Sequence, residues 1–78
     1  MTKEEIFNLL NMNGVITDCD CEGDVWVNIN NTESHFCNFC MTIGDLVYLD
    51  PRDVNVKKEL DEVTVSDILD FVYIVKNL

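Results

Sequence analysis

Apolar residues at helical spacing mark the beginning of the chain. Ile6 and Leu10 fall on one face of a helix. The preceding Thr2-Lys3-Glu4-Glu5 has the pattern of a capping box, in which the Thr and Glu side chains each accept a hydrogen bond from the other's backbone N–H. Asn13-Gly14 suits a helix end, because both residues tolerate left-handed backbone angles. A first helix is therefore predicted over residues 3–12.

The end of the chain carries a second helical pattern. Residues 68–78 are apolar nearly all the way round a helix, with Thr64 or Ser66 as the predicted N-cap and Asp67 well placed in the first turn. Such a helix is either buried on several sides or offers one face to a partner. A homodimer built through this helix is one of the alternatives.

Between the helices the pattern alternates with the period of a β-strand. Strands are predicted over residues 15–21, 25–30, 35–43 and 46–49, and a short one around residues 54–56 is an alternative. We therefore predict a single small α+β domain over residues 1–78. It is expected to be an antiparallel four-stranded meander (α-β-β-β-β-α), with both helices on one face and an acidic opposite face.

Charge is distributed unevenly along the chain. The 78 residues include 15 acids and 5 Lys or Arg, for a net charge of −10. No Lys or Arg stands between Lys3 and Arg52. This sign disfavours direct binding to nucleic acid or to anionic membranes. It favours a basic protein surface as partner, since opposite charge accelerates association.

Four acids stand at every second position in this segment: Asp18, Asp20, Glu22 and Asp24. In a strand, alternate residues lie on the same face, and their positions are about 6.7 Å apart. The first three acids are therefore expected on one face, and Cys19 and Cys21 on the other. Trp26 alternates with inward valines and is expected to point away from them. An aromatic residue among polar groups is a typical interface anchor, so the four acids and Trp26 are the predicted partner-binding residues; the alternative for Trp26 is cover by a loop or helix.

A carboxylate row at this spacing would replace about every second phosphate of a DNA strand, whose phosphates recur about every 3.4 Å. In size and charge the chain is similar to small inhibitors carried by phages and mobile elements, including anti-CRISPR and anti-restriction DNA mimics. The resemblance implies occlusion of a basic surface, such as that of a nucleic-acid-binding protein or nuclease. A merely solvated acidic surface is the alternative interpretation.

The four cysteines suggest a second hypothesis. Cys19-x-Cys21 and Cys37-x-x-Cys40 are separated by fifteen residues, a loop length that fits four-Cys zinc sites. However, the first pair is C-x-C, and Cys37 and Cys40 would point to opposite faces of a regular strand. The leading expectation is four thiols without a cofactor, which pack as small apolar groups. The alternatives are a zinc-stabilised structural or adaptor domain held by all four, and a redox or disulfide role.

The sequence gives little support for a calcium site or a catalytic site. Asp18, Asp20 and Gly23 fit an EF-hand calcium loop, but Ile29 stands where its bidentate Glu belongs. His35 has no nucleophile or acid at motif spacing, and there is no glycine-rich phosphate loop, so no catalytic residues and no enzyme are expected. The first residues lack the apolar region of a signal peptide, which predicts a cytoplasmic protein with reduced thiols.

Overall fold

The computed structural model describes residues 1–30 and 36–78, except for the side chains of residues 30, 36 and 37. In this part of the chain, two helices flank six strands that form two three-stranded antiparallel sheets. The predicted α+β class is confirmed. The single four-stranded meander is wrong, because the strands divide into two sheets. His35 lies outside the described residues.

Helix α1 spans Lys3–Met12 and matches its prediction. The capping box is present: the Thr2 hydroxyl accepts from the N–H of Glu5 at 3.1 Å, and the Glu5 carboxylate accepts from the N–H of Thr2 at 2.9 Å. The bond from the Thr2 backbone N–H is the largest cause that lowers the pKa of the Glu5 carboxyl, and the Thr2 side chain adds to it. Gly14 follows the helix with φ +78°, a backbone angle that residues other than glycine rarely adopt.

Sheet A contains β1 (Thr17–Cys19), β2 (Val25–Asn30) and β3 (Phe36–Cys40), with β2 in the centre. β2 has its predicted bounds, and its inward residues Val25, Val27 and Ile29 are buried as predicted. β1 is shorter than the predicted strand over residues 15–21, because residues 20–24 form a turn.

Sheet B contains β4 (Thr42–Ile43), β5 (Leu46–Tyr48) and β6 (Lys57–Glu59). The predicted strand over residues 35–43 is interrupted at Met41, where the chain passes from sheet A to sheet B. The Met41 N–H donates to the Val25 carbonyl at 2.9 Å, and its carbonyl accepts from the Tyr48 N–H at 2.8 Å. The alternative strand around residues 54–56 is also misplaced, since β6 begins at Lys57.

A 3₁₀ helix (Leu60–Glu62) leads into helix α2 (Val65–Lys76), which Thr64 caps together with Asp67. Phe71 of α2 is fully buried and stacks on Phe39 of sheet A at 6.1 Å between ring centroids. The core joins residues from both helices and both sheets: Ile6, Leu10, Val15, Val25, Val27, Ile29, Met41, Val47, Leu49, Val63, Ile68, Phe71 and Val72.

Candidate protein-binding surface

Asp20 organises the turn that replaces the predicted row of acids. Its Oδ1 accepts from the backbone N–H groups of Glu22 at 2.9 Å and Asp24 at 3.0 Å, and its Oδ2 accepts from the Trp26 indole N–H at 3.0 Å. The prediction that Asp18, Asp20 and Glu22 share a strand face is therefore wrong, because a side-chain-bonded turn has replaced the strand. The Trp26 bond, the largest cause, holds the pKa of Asp20 below its usual value.

Asp24 lies in the interior, contrary to its predicted place among exposed acids. Its side chain accepts from the Lys3 ammonium at 2.7 Å and from the Thr42 hydroxyl at 3.2 Å, and the residue is 7% exposed. The Thr42 hydroxyl also accepts from the N–H of Val25 at 2.9 Å. This network links α1, the turn and sheet B, and the bond to Asp24 raises the pKa of Lys3.

Trp26 lies on the outer face of sheet A, away from the buried valines. Its neighbours across the sheet are Asp18 on β1 and Cys40 on β3. An open depression of about 340 Å³ surrounds the indole, and we call it the Trp26 depression; its lining residues are Asp18, Cys19, Asp20, Trp26 and Asn38. Three of the five predicted binding residues therefore meet there, namely Asp18, Asp20 and Trp26. Glu22 is exposed in the adjoining turn.

Cys19 and Cys40 lie near enough to acidic side chains for the charges to act on their thiols. Cys19 is exposed, but local loss of solvent around the thiol, followed by the charges of Asp18 and Asp20, raises its pKa. Burial, followed by Asp24 and Asp20, raises the pKa of Cys40. The predicted placement of Asp18 and Cys19 on opposite faces of β1 is nevertheless confirmed, because Asp18 lies opposite the outward Trp26 and Cys19 opposite the inward Val25. Because a raised pKa keeps a thiol protonated near neutral pH, it disfavours thiolate chemistry.

The register of sheet A bears on the zinc hypothesis. Cys19 lies opposite Val25 and Cys40 opposite Trp26, which places the two cysteines on opposite faces of the sheet. Cys19 and Cys21 are exposed, so the expectation that the thiols pack as small apolar groups is wrong at these two positions. Cys37 occupies the register position opposite Ile29. Among the side chains that the structure describes, which do not include that of Cys37, no group of three or more His, Cys, Asp or Glu could hold a metal ion. The zinc alternative stays a prediction, which metal analysis of the purified chain decides.

A second acidic surface is assembled from distant parts of the chain. An open depression of about 770 Å³ contains four carboxylates, and we call it the amino-terminal depression; its lining residues are Met1, Thr2, Lys3, Glu5, Asp45, Glu59, Leu60 and Asp61. The Leu60 N–H donates to the Asp45 carbonyl at 2.7 Å, which holds the β4–β5 turn against the 3₁₀ helix. Sequence reasoning missed this group, because its acids share no spacing.

Lys3 lies where the two acidic surfaces approach each other. Its pKa is raised first by the hydrogen bond to Asp24, and the charges of Asp45 and Asp20 add to the effect. Asp45 lines the amino-terminal depression and Asp20 lines the Trp26 depression. The ammonium between them is already paired with buried Asp24, so it does not neutralise either surface fully.

The ion pairs of the described residues leave the exposed acids without bases. Lys3, Arg52 and Lys58 pair with Asp24, Asp50 and Asp67 at 2.7–3.0 Å, and all three of these acids are buried or partly buried. The other eleven described acids are exposed and have no Lys or Arg within 4.0 Å: Glu4, Glu5, Asp18, Asp20, Glu22, Asp45, Asp53, Glu59, Asp61, Glu62 and Asp70. The excess negative charge of the described residues is therefore carried on the surface.

No protein-family model, curated protein or solved structure matches this chain. Neither helix in the described part of the chain has the length and apolar character needed to cross a membrane.

Proposed function

We propose that this protein binds a basic surface of another protein through the Trp26 depression and inhibits the partner by covering that surface. The observation that carries the proposal is the distribution of charge. Every exposed acid of the described residues lacks a basic partner, while three bases pair with less exposed acids. Surface carboxylates left in this state attract Lys and Arg of a partner and accelerate their approach.

Trp26 supplies the anchor for this contact. Its indole is fixed by the bond to Asp20, so little conformational freedom remains to be lost on binding. The Asp18 carboxylate is exposed beside it on the neighbouring strand. An aromatic face next to a carboxylate suits an Arg or Lys side chain, which gains both a cation–π contact and an ion pair.

The turn over residues 20–24 removes the geometric basis for direct mimicry of a DNA strand. The acids after Asp18 do not follow the spacing of a strand. Residues 18–24 therefore do not form a row of carboxylates that resembles the phosphates of DNA. The partner is instead a protein whose basic surface meets dense acidic charge around one aromatic anchor. A nucleic-acid-binding protein or nuclease fits this description, because its binding surface is rich in Lys and Arg. The protein is proposed to act without a catalytic step or cofactor.

The test begins with capture of partners at about 50 mM and 500 mM NaCl, with identification by mass spectrometry. The captured protein is then purified and titrated against the wild type, Asp18→Lys and Asp70→Lys. The two variants change the net charge equally, but Asp70 lies on α2, outside both depressions. We expect Asp18→Lys to weaken binding at least about 10-fold, as reversal of an interfacial charge should, and Asp70→Lys less than about 3-fold.

Two results would overturn the proposal. Equal losses for both variants would mean that net charge alone attracts the partner, without a defined surface. An unchanged affinity for Asp18→Lys would remove the Trp26 depression from the interface. Asp45→Lys adds a further comparison, because Asp45 belongs to the amino-terminal depression; a larger loss there than for Asp18→Lys would move the binding surface to that depression.

A further inference from the structure

Both helices end at an asparagine with the same cap geometry. Asn13 follows α1 with φ −99° and ψ 13°, and Asn77 follows α2 with φ −110° and ψ 12°. Each side-chain amide donates a hydrogen bond of 2.8 Å to the carbonyl four residues earlier, that of Leu9 in α1 and that of Tyr73 in α2. Each cap thus supplies a donor to one of the last carbonyls of its helix, which the helix itself leaves without a backbone partner.

The two caps differ in the residue that follows the asparagine. Gly14 follows Asn13, whereas Leu78 follows Asn77, and Asn13 is the only asparagine of the chain that precedes a glycine. Asparagine is a labile residue, because the backbone nitrogen of the next residue can attack the carbon of the side-chain amide. Glycine obstructs this attack least, since it has no Cβ and adopts the widest range of backbone angles. The sequence alone therefore makes Asn13 the more reactive of the two.

The folded cap holds Asn13 in a geometry that prevents the attack. The product is a succinimide ring, which requires the Gly14 nitrogen to lie on the side of the Asn13 Cβ. At ψ 13° that nitrogen instead nearly eclipses the Asn13 nitrogen and points away from Cβ. The Gly14 N–H also donates to the Asn11 carbonyl at 3.1 Å. The N–H of buried Val15 donates to the Leu10 carbonyl at 3.0 Å, so the last turn of α1 must open before the ring can close.

We propose that Asn13 is a site of spontaneous deamidation, and that opening of the last turn of α1 sets its rate. In the open state the Gly14 nitrogen loses its proton to solvent base and attacks the Asn13 Cγ. The bond from Cγ to Nδ2 breaks, ammonia leaves, and the succinimide remains. Water then adds to either ring carbonyl, which leaves aspartate or isoaspartate at position 13. The reaction exchanges no electrons and consumes only water, which reaches the site because Gly14 is exposed.

Either product weakens the cap that delayed the reaction. The amide donor to the Leu9 carbonyl leaves as ammonia, and a negative charge appears at the carboxyl end of α1, where the helix dipole opposes it. The Lys76 ammonium lies against Gly14 and offsets part of this effect, but an exposed ion pair contributes little. Each conversion therefore leaves α1 easier to open, and the loss of ammonia makes the change irreversible.

Peptide mapping by mass spectrometry tests the site. The full chain is incubated with a reductant at mildly alkaline pH, in native buffer and in concentrated urea. In urea we expect Asn13 to deamidate at least about 10-fold faster than Asn77, since glycine leaves the attack unobstructed. In native buffer Asn13 should react at least about 10-fold more slowly than in urea, because the rate follows the population of the open state.

Two results would overturn the proposal. Equal rates at Asn13 and Asn77 in urea would mean that Gly14 gives the site no special reactivity. Equal rates at Asn13 in both media would mean that the cap does not protect it. The measurement involves no binding partner, so its outcome is independent of the proposed inhibition.

Two charge-matched variants test the effect of the reaction on the fold. Asn13→Asp reproduces one product, and Asn8→Asp adds the same charge at an exposed position within α1. We expect hydrogen exchange of the Val15 amide to accelerate at least about 3-fold in Asn13→Asp, because the turn that protects this amide opens more often. Asn8→Asp should leave that rate within about 2-fold of the wild type. Equal exchange rates in the two variants would overturn the claim that conversion loosens α1.

Discussion

The two acidic depressions differ in how their charge is assembled. The Trp26 depression adjoins a segment in which every second residue is acidic, yet Asp20 stabilises the turn and Asp24 pairs with Lys3 in the interior. The amino-terminal depression draws Glu5, Asp45 and two further acids from separate elements, and all four are exposed. Density of acids along the chain is therefore a poor measure of free charge at the surface, because neighbouring carboxylates also supply the hydrogen bonds of turns.

The largest expected difference in stability is between the removal of a buried acid and the removal of an exposed acid. Asp24→Ala removes the acceptor of the Thr42 hydroxyl and of the Lys3 ammonium. We expect it to lower the free energy of unfolding by about 1–3 kcal/mol, as the loss of a buried charged acceptor does. Asp45→Ala is the control and should change it by less than about 0.5 kcal/mol. Urea unfolding followed by circular dichroism measures both, and equal losses would contradict the division of roles.

The hydrogen bond between Asp20 and Trp26 should make a smaller contribution to the stability of the fold. The folded-state pKa of Asp20 is lowered from 3.8, so the stabilisation is complete above that value and is lost as pH falls through the lowered pKa. Trp26 is the only tryptophan of the chain, so its fluorescence reports this titration. We expect a transition with a midpoint below 3.8 in the wild type.

The same transition should be absent in Asp20→Asn, which keeps an acceptor oxygen but does not titrate. Glu22→Gln is the matched control, because the Glu22 side chain is exposed in the same turn and should leave the transition in place. Circular dichroism at each pH establishes that the protein is folded. A midpoint at or above 3.8, or a transition that persists in Asp20→Asn, would contradict the role given to Asp20.

The smallest expected effect lies in the amino-terminal depression. Glu59→Gln removes one of its four exposed negative charges. We expect a gain of at most about 0.5 kcal/mol in the free energy of unfolding at 10 mM NaCl, because repulsion among the acids decreases. The gain should vanish at about 500 mM NaCl, where screening shortens the range of the charges. A loss of stability at low salt would mean that Glu59 makes a stabilising contact.

Local patterns predicted the elements whose signals lie close together in the chain. The α1 capping box and the bounds of β2 follow from residues within one segment. The break at Met41 could not be predicted, because residues 35–43 read as one strand. It depends on hydrogen bonds from Met41 to Val25 and Tyr48 in different sheets, and a local pattern contains no information on such partners.

The candidate site was predicted in part for the same reason. Asp18 and Trp26 stand opposite each other, as a strand pair joined by a short turn allows. The burial of Asp24 depends on Lys3 and Thr42, which lie 21 and 18 residues away in the chain. The amino-terminal depression was missed altogether, because its acids approach one another only when α1, the β4–β5 turn and the 3₁₀ helix pack together.

The sequence by itself determined the two capped helices, the central strand β2, the α+β class and a net charge of −10, since each depends on composition or on neighbouring residues. The tertiary structure decided the division into two sheets and which acids stay free. Whether a carboxylate is buried or stays exposed depends on the hydrogen-bond donor that folding brings close to it. Asp24 meets the Lys3 ammonium and becomes part of the interior, while Asp18, six residues earlier, remains at the surface beside Trp26.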